Sequence, residues 1–492
     1  MPAVDPRTPV LVGAGQFMQK PADPAAALEP LAMMVTALEA AATDAGSTQL
    51  LSAADVIRVV KGAWPYRNPG QLVAERLGAT PKATQISTDG GNTPQSLVNA
   101  SCLDILAGRA DVVLLVGAEG IWSRRRAKKA GVTIPYTADA GAAPAEVLGH
   151  DVPMSSQVEV ERGVEMPVNV YPVFENALRA ERGESIAAHR TRIAELWSRF
   201  NAVAVQNPYA WLRTPLSAAE IREASPTNRM VGFPYTKSMN SNWDLDQSAA
   251  VILCSAEAAE RVGVSKDNWV FPWSGTDAHD TYLFSNRDNF RSSPAIRTAG
   301  RVVFELGGVT AADVAHVDLY SCFPSAVQIA ANELGFSHDR QLTVTGGLPF
   351  AGGPLNNYVM HSIATMAGVL RSHPGDIGLC SANGGYVTKH AIGLYSTTPP
   401  AQPFRHRDVQ DEVDRVPTRE LDPGYRGPAT VESYTVMHDH EGPQVAIAAV
   451  LSPSGTRNWA RSRDVAAMAS MMTDEPIGRA VDVHGDAEFS FV

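Results

Sequence analysis

The chain has 492 residues, of which 45% are hydrophobic and 19% charged, and this composition is typical of a folded globular protein rather than a disordered one. Its length predicts about two to four domains. The formal net charge of −11 argues against broad, sequence-independent binding to nucleic acids, because neutralising phosphates requires a basic surface.

Hydrophobic segments are too short for a membrane span, which needs roughly 20 consecutive apolar residues. The N-terminal segment has Asp5 and several prolines where a signal peptide would have an apolar core. These features predict a cytoplasmic protein. The four cysteines show no short pair spacing, so neither a metal site nor a disulfide framework is predicted.

In chain order, strand and helix patterns alternate through the first part of the sequence. Residues 9–16 predict a buried strand, residues 31–45 a helix, and residues 54–61 a short strand. Pro30 suits the first turn of the helix and Gly46 its end. This alternation predicts a largely parallel α/β sheet covered by helices.

A near-repeat links the two parts of the chain. Gly90-Gly91 precedes an apolar helix pattern and then a turn and buried strand over residues 110–117. Gly352-Gly353 precedes a second such helix pattern and a turn and strand over residues 375–380. Each unit places a glycine-rich turn at the N-terminus of a helix, where free N–H groups and the helix dipole favour an anion. We expect the two turns to face each other across one pocket.

The composition changes between residues 120 and 240, which predicts an insertion of helices and loops. The insertion contains a basic run, a proline-flanked segment over residues 166–172 and a long helix over residues 185–206. The sheet resumes over residues 248–254, and a second α/β half follows over residues 269–395.

The remaining sequence predicts a charged linker over residues 405–420 and a separate small β-rich domain, with strands over residues 430–437 and 445–451. The predicted division of the chain therefore has three parts. They are residues 1–265 with the insertion at 120–240, residues 266–400, and residues 401–492.

Four short motifs within residues 8–396 resemble those of the thiolase superfamily. Residues 114–120 resemble the family's Gly-Gly-x-Glu turn, and residues 246–251 resemble its Asp-Gly-Ala-Ala-Ala-Val strand. Tyr320-Ser321-Cys322-Phe323 lies where the sterol-carrier-type thiolases have His-Asp-Cys-Phe, and Gly352-Gly353-Pro354 lies where the family has Gly-His-Pro. The closest likeness is to that branch and to thiolase-like proteins named acetyl-CoA acetyltransferases.

This resemblance implies a duplicated thiolase fold, layered αβαβα, with an insertion and an additional small C-terminal domain. It also implies a nucleophilic cysteine at the start of the first buried helix and a histidine in the Gly-His-Pro loop. This chain has Gly90 or Gly91 at the first position, with the choice between them open, and Gly353 at the second. Conventional acyl-cysteine chemistry is therefore not expected. Cys102, further along the same helix, is predicted to be a core residue.

Three side chains remain as candidate acid or base groups. The resemblance places Cys322 at a cysteine implicated in proton transfer, and Cys380 close to the acid/base cysteine of a Cys-x-Gly motif. His390 follows a glycine-rich polar loop and suits a general base. For each of them the alternative is a buried thiol or an internally hydrogen-bonded histidine. His361 is predicted to be a core histidine and is excluded from the site.

Backbone donors and basic residues complete the predicted site. The loop containing Asn383 and Gly384 suits oxyanion or phosphate contacts, and Lys389 suits an anion. The resemblance implies that the basic run binds the phosphates of CoA, the alternative being a solvated helix face; its members are Arg124, Arg125, Arg126, Lys128 and Lys129. Segment 166–171 is expected to line the pantetheine tunnel.

Two functions follow from these observations. The first is a thiolase-like acyl-CoA acyltransferase, related to acetyl-CoA acetyltransferases of lipid metabolism, that acts without the usual cysteine. The second is a non-catalytic acyl-CoA or lipid-binding protein. In both, CoA or acyl-CoA is the ligand and no bound cofactor or metal is expected. A homodimer, and a protein partner at the C-terminal domain, are both compatible with the sequence.

Overall fold

Three β-sheets organise the fold in the computed structural model, which describes residues 4–139, 143 and 145–492. The strands in chain order are β1 (Pro9–Met18), β2 (Val56–Val59), β3 (Ala83–Ser87), β4 (Val112–Gly120), β5 (Glu146–Leu148), β6 (Met230–Gly232), β7 (Tyr235–Thr236), β8 (Asp246–Ser255), β9 (Phe271–His279), β10 (Val314–Asp318), β11 (Ile377–Gly384), β12 (Lys389–Ser396), β13 (Arg405–Asp408), β14 (Gly427–His438), β15 (Pro443–Leu451), β16 (Arg457–Ser462), β17 (Ala480–His484) and β18 (Glu488–Phe491).

Helices cover and separate these sheets. In chain order they are α1 (Pro30–Ala45), α2 (Gln49–Ser52), α3 (Pro69–Leu77), α4 (Thr93–Leu106), α5 (Ile121–Ala130), α6 (Gln157–Arg162), α7 (Pro167–Glu181), α8 (Ile186–Gln206), α9 (Ala218–Arg222), α10 (Ala256–Arg261), α11 (Pro294–Gly307), α12 (Pro324–Leu334), α13 (Tyr358–Ser372), α14 (Gln410–Val413) and α15 (Val465–Thr473). None of the described helices is both long and apolar enough to cross a bilayer.

The first sheet has the strand order β1-β8-β4-β2-β3-β5. The pairs among β4, β2, β3 and β5 are parallel, whereas β8 runs antiparallel to both β1 and β4. The expectation of a largely parallel sheet is therefore wrong for one side of this sheet. A strand that is buried on both faces has the same apolar pattern in either direction, so its sequence does not give its orientation.

The second sheet has the order β10-β11-β12-β9-β13. Its edge strand β13 pairs in parallel with β9 and comes from the segment predicted to be a charged linker. Alternating exposed charges suit an edge strand that has solvent on one side, and this pattern is easily mistaken for a linker.

The layers follow the expected αβαβα order. Helices α1 and α3 contact the strands of the first sheet, and α4 and α13 each contact strands of both sheets. Helix α11 packs against β9 and β12 of the second sheet and contacts α12. Because α4 and α13 lie between two sheets, they are apolar on most sides, and Cys102 of α4 is fully buried as expected.

The third sheet has the order β15-β16-β18-β17-β14-β6-β7 and is not built from the C-terminal tail alone. The hairpin β6–β7 belongs to the insertion, and it joins the sheet where Gly232 pairs with Met437. Trp459 of β16 also donates from Nε1 to Ser285 Oγ at 2.7 Å. The sheet of the C-terminal segment therefore also includes two strands of the insertion, β6 and β7.

Candidate functional site

A cavity of about 900 Å³ lies where the two glycine-rich turns meet, and we call it the central cavity. Its walls come from the turns before α4 and α13, the loop before α12, the end of β11, the start of β12 and the insertion. They comprise Asp89, Gly90, Gly91, Asp151, Val152, Pro153, Met154, Met166, Pro167, Val168, Tyr171, Ser241, Trp243, Tyr320, Cys322, Phe323, Leu348, Gly353, Leu355, Asn356, Asn383, Gly384, Gly385 and Lys389. The structure thus brings together seven residues named individually in the sequence analysis: Gly90, Gly91, Cys322, Gly353, Asn383, Gly384 and Lys389.

The turn before α4 has unpaired main-chain donors. The N–H of Gly90 donates to Asn356 Oδ1 at 3.0 Å, but within the described residues the N–H groups of Gly91 and Asn92 have no acceptor. Both lie at the N-terminus of a 14-residue helix, where the dipole adds positive potential. This end of the cavity therefore favours a carbonyl oxygen or an anion.

At Gly91, neighbouring atoms fill the space of a side chain. A Cβ on Gly91 would collide with the hydroxyl of Tyr320 and lie 2.5 Å from the carbonyl oxygen of Asn383. Such contacts are too close for any real Cβ, so a side chain here requires main-chain movement. Tyr320 thus occupies the place into which a residue at position 91 would project.

Gly90 is restricted in a different way. Its φ of +148° is rarely adopted by residues with a side chain, and a Cβ there would collide with Asn92 Oδ1. The same Cβ would lie 3.0 Å from Nζ of Lys389. Neither glycine can therefore be replaced by cysteine without local rearrangement.

The turn before α13 is also closed to a side chain. A Cβ on Gly353 would lie 2.5 Å from Ser241 Oγ and 3.2 Å from Leu348 Cδ2. Both neighbours line the central cavity. An imidazole at this position, as the family resemblance implies, would displace Ser241.

Cys322 is the cavity's thiol, and it is 7% exposed. Burial raises its pKa to about 12, although contacts with Tyr171, Asn383 and main-chain N–H groups oppose that rise. A thiol with this pKa is protonated at neutral pH, and the thiolate is the nucleophilic form. The surroundings of Cys322 therefore suit a proton donor better than a nucleophile.

Two buried groups fix the loop that carries Cys322. The hydroxyl of Tyr358 donates to Asp318 Oδ1 at 3.0 Å, and the N–H of Tyr320 donates to Ser381 Oγ at 3.0 Å. Asp318 also accepts hydrogen bonds from main-chain and side-chain donors over residues 343–345. Burial raises the pKa of Asp318, and these donors oppose the rise.

Asn383 presents an acceptor that no group of the described residues satisfies. Its Nδ2 donates to the hydroxyl of Tyr171 at 3.0 Å, whereas its Oδ1 is buried and unpartnered. The residue is 6% exposed and lines the central cavity. Because an unpaired buried acceptor is costly, this atom favours a ligand with an N–H or O–H donor.

Lys389 is the cavity's only lysine or arginine among the described residues. Its Nζ donates to the main-chain oxygen of Asp89, and it forms no ion pair with a carboxylate of the described chain. The nearby carboxylates of Asp89 and Asp151 instead pair with Lys61, at 2.7 and 3.4 Å. Burial lowers the pKa of Lys389.

Cys380 and His390 do not line the central cavity. Cys380 is fully buried, and its Sγ accepts a hydrogen bond from Ser362 Oγ at 3.4 Å. His390 borders a void of about 10 Å³ on the other side of Tyr320 and Asn383, and its Nε2 lies 3.6 Å from Asp280 Oδ2. The resulting geometry keeps both groups away from a ligand in the central cavity.

The basic run forms helix α5, and its side chains do not line the central cavity. Arg125 pairs with Asp244, which is next to the cavity-lining Trp243, while Lys128 and Lys129 are exposed. Arg124 donates to the main-chain oxygen of Ala63. The remaining member, Arg126, donates to the main-chain oxygens of Pro21 and Ala22 at 2.7 and 2.9 Å.

Of the aromatic walls of the site, the sequence indicated Tyr171 but not Trp243. Tyr171 stacks on Phe323 with ring centroids 4.3 Å apart, and Trp243 is 58% exposed at the cavity. Tyr171 lies in the proline-flanked segment that was expected to line the pantetheine tunnel, and this segment was the sequence feature that indicated it. Trp243 had no local signal, because a single tryptophan between polar residues has no periodicity.

A second cavity, of about 630 Å³, lies between the second half and the segment after β13. Three of its four arginines, Arg287, Arg291 and Arg297, pair with carboxylates at 2.7–3.2 Å, and the fourth, Arg182, donates to Gln328 Oε1 at 2.6 Å. Paired charges bind an added anion less strongly than a free one. The central cavity is therefore the better candidate for a ligand site.

The layered fold and the opposed glycine-rich turns define a thiolase-like protein. A solved structure, a monomeric SCP2-thiolase-like protein type 1 from Mycobacterium smegmatis, is 30% identical, with both chains covered completely and a TM-score of 0.85. The chain therefore belongs to the thiolase superfamily. Residues 408–488 also match the family model of the thiolase-like protein type 1 additional C-terminal domain.

Two curated relatives are more distant. An acetyl-CoA acetyltransferase of Methanocaldococcus jannaschii is 23% identical over 54% of this chain, and the match spans 60% of that protein's length. An acetyl-CoA acetyltransferase of Methanothermobacter thermautotrophicus is 23% identical over 66% of this chain and 83% of its own length.

Proposed function

We propose that the central cavity binds CoA or an acyl-CoA, and that the protein acts in lipid metabolism without the acyl-cysteine chemistry of a conventional thiolase. Its volume of about 900 Å³ lies within the range of roughly 300–1,000 Å³ that is usual for small-molecule sites. Apolar walls such as Leu348, Leu355 and Phe323 suit an acyl or pantetheine chain. The names of the two acetyl-CoA acetyltransferase relatives support the same ligand class.

One observation supports the proposal that conventional acyl-cysteine chemistry is absent. The side-chain space at Gly91 is occupied by Tyr320, and that at Gly353 by Ser241, while the cavity between the two turns stays open. A thiolase of the usual type needs a thiolate and an imidazole at these turns. The cavity retains room for the thioester and unpaired N–H groups for its carbonyl oxygen, but not the acyl-accepting cysteine.

Binding and turnover are tested separately. Isothermal titration with CoA and acetyl-CoA is expected to show binding, and acetoacetyl-CoA is expected not to be cleaved when CoA is present. Val168→Trp would fill the cavity and abolish binding, whereas Val132→Trp, on an exposed residue outside the cavity, is the matched control. No binding of either ligand by the folded wild-type chain would refute the proposal.

An acyltransferase that uses Cys322 is the second candidate, favoured by the position of this thiol in the cavity. It predicts a labile acetyl adduct after incubation with acetyl-CoA, visible by intact-mass measurement and absent in Cys322→Ala. Cys380→Ala is the control for a thiol outside the cavity. An adduct on Cys322 would establish an acyl-cysteine and overturn the proposal that the protein acts without one, while leaving the proposed binding of acyl-CoA in place.

A further inference from the structure

The groups that line the central cavity include a thiol, that of Cys322, and an amine, that of Lys389, and both are potential nucleophiles. Burial acts on them in opposite senses. A buried site disfavours whichever form is charged, which is the reactive form of a thiol but the unreactive form of an amine. The same surroundings that keep Cys322 protonated therefore increase the fraction of neutral, nucleophilic amine at Lys389.

The position of Lys389 supports this role independently of its titration. Its Nζ lies 3.0 Å from the place of a Cβ on Gly90, so the amine reaches the same turn whose N–H groups are unpaired. The polypeptide hydrogen-bonds it through one main-chain oxygen, that of Asp89, which leaves further N–H groups toward the cavity. The carboxylates of Asp89 and Asp151 pair with Lys61, and their charges oppose the lowering of the Lys389 pKa by burial without reversing it.

We propose that Lys389 accepts an acyl group from a thioester bound in the central cavity. The amine nitrogen attacks the carbonyl carbon, the new C–N bond forms, and the C–S bond breaks. CoA leaves as its thiol, with a proton taken from the attacking nitrogen. The products are an amide on Lys389 and free CoA. This inference rests on the binding of acyl-CoA proposed above.

The strand geometry explains why Lys389 and not His390 takes this position. Adjacent residues of β12 point to opposite faces, so Lys389 faces the central cavity and His390 faces the void beyond Tyr320 and Asn383.

The amide formed on Lys389 is stable to hydrolysis, unlike a thioester. Acylation of Lys389 would accordingly be a lasting modification that replaces a cation at the cavity wall with a neutral group.

The test is acetylation by acetyl-CoA, followed by intact mass and peptide mapping. Acetylation of Lys389 is expected about tenfold faster than that of the exposed Lys237, because a bound thioester lies next to the amine. Excess free CoA should slow it. Lys389→Arg should lack the modification, whereas Lys237→Arg should keep it.

Other outcomes separate this inference from the function on which it depends. CoA binding without preferential acetylation of Lys389 in the wild-type chain would refute the role of Lys389 alone. Failure to bind CoA would refute the proposed function first. Loss of the modification in Cys322→Ala would show that the thiol is acylated before the amine and would overturn direct attack by Lys389. An unchanged acetylation rate in that variant would support it.

Discussion

The hydroxyl of Tyr320 lies against Gly91, in the space that a side chain at position 91 would occupy. The carbonyl oxygen of Asn383 borders the same space, 2.5 Å from a Cβ at Gly91. Tyrosine at position 320 and glycine at position 91 are therefore mutually dependent. The first packs closely only because the second has no side chain.

Gly91→Ala is expected to destabilise the protein by about 1–3 kcal/mol, because the added methyl group overpacks a closed site. Tyr320→Leu removes the hydroxyl and the ring from this contact, so we expect the double variant to lose less stability than the sum of the single variants. Urea denaturation of all four proteins measures the coupling. Strict additivity would contradict the proposed packing.

Gly368→Ala is the matched control for this substitution. Gly368 is an exposed residue of α13, and a Cβ there would meet no atom within 4 Å. Alanine has the higher helix propensity, so this variant is expected to be more stable by up to about 1 kcal/mol. The two glycine-to-alanine changes thus have opposite predicted signs.

A buried ionic network joins the insertion to the second half and gives another prediction. His189 Nε2 lies 2.6 Å from Glu175 Oε1, and Glu175 also accepts from Tyr235 and Gln328. His189→Leu removes the ring between Glu175 and Glu184 and leaves the buried Glu175 with only the neutral donors Tyr235 and Gln328. We expect a loss of about 3–5 kcal/mol in the free energy of unfolding at pH 7. His316→Leu, in a partly exposed pair with Asp376, should cost less than about 1 kcal/mol.

The same network predicts a pH dependence. Burial raises the pKa of Glu184, but hydrogen bonds from Arg192 and His189 lower it overall to about 2. A carboxyl whose pKa is lowered on folding stabilises the folded protein at pH values above its ordinary pKa. This contribution is lost as the pH falls through the folded-state pKa. The free energy of unfolding of the wild-type protein should therefore fall steeply between about pH 4.5 and 2, and that of His189→Leu should fall less over the same range. Urea denaturation of both proteins across this range measures the difference. An equal fall in both would contradict the stabilisation of ionised Glu184 by His189.

Local signals predicted individual elements well. Pro30 and Gly46 mark the ends of α1, and the helix runs from Pro30 to Ala45 with Gly46 in the left-handed conformation. The orientation of β8 and the membership of β6 and β7 in the third sheet were not predictable in this way. The first depends on tertiary packing, and the second involves strands of three and two residues, too short for a periodic pattern.

The site was predictable where it depends on loop order along the chain. The positions of Gly90, Gly353 and Asn383 around one cavity follow from matched turns at the ends of duplicated units. The places of His390 and Cys380 were not predictable, because a shift of one residue along a strand moves a side chain to the other face of the sheet. The contact of Tyr320 with Gly91 likewise required the fold.

The buried carboxyl of Glu119 predicts a loss of stability as the pH rises toward neutrality. Burial raises the pKa of this carboxyl to about 7, although the N–H of Ala63 and the charge of Arg124 oppose the rise. Because folding raises the pKa of Glu119, its contribution to stability is fully present below about pH 4.5, the ordinary pKa of a glutamate. This contribution is lost as the pH rises through about 7. Glu119→Gln should remove this loss and stabilise the protein at pH 8 by on the order of 3 kcal/mol.

Thermal unfolding of Glu119→Gln across pH 4–8 measures this effect. The variant should have a flatter profile than the wild type and the higher midpoint at pH 8. Glu39→Gln, on the exposed face of α1, is the control and should reproduce the wild-type profile. A variant that is less stable at pH 8 would mean that the ionised carboxylate is a favourable group.

Substitutions in helix α5 test whether the phosphates of CoA bind near the cavity. Lys128 and Lys129 are exposed, and Arg125 is tied to Asp244 beside the cavity-lining Trp243. If these charges contact the 3′-phosphate or the pyrophosphate, Lys128→Glu/Lys129→Glu should weaken CoA binding several-fold, and high salt should reduce the difference because it screens exposed charges. Titration calorimetry at low and high salt measures both effects.

A comparison with dephospho-CoA identifies the phosphate concerned. If the lysines bind the 3′-phosphate, the double variant and the wild type should bind dephospho-CoA equally. A remaining difference would assign them to the pyrophosphate. Lys237→Glu makes a charge change on another exposed lysine and should leave affinity unchanged. Unaltered CoA binding in the double variant would mean that α5 is a solvated helix face and that the phosphates lie elsewhere.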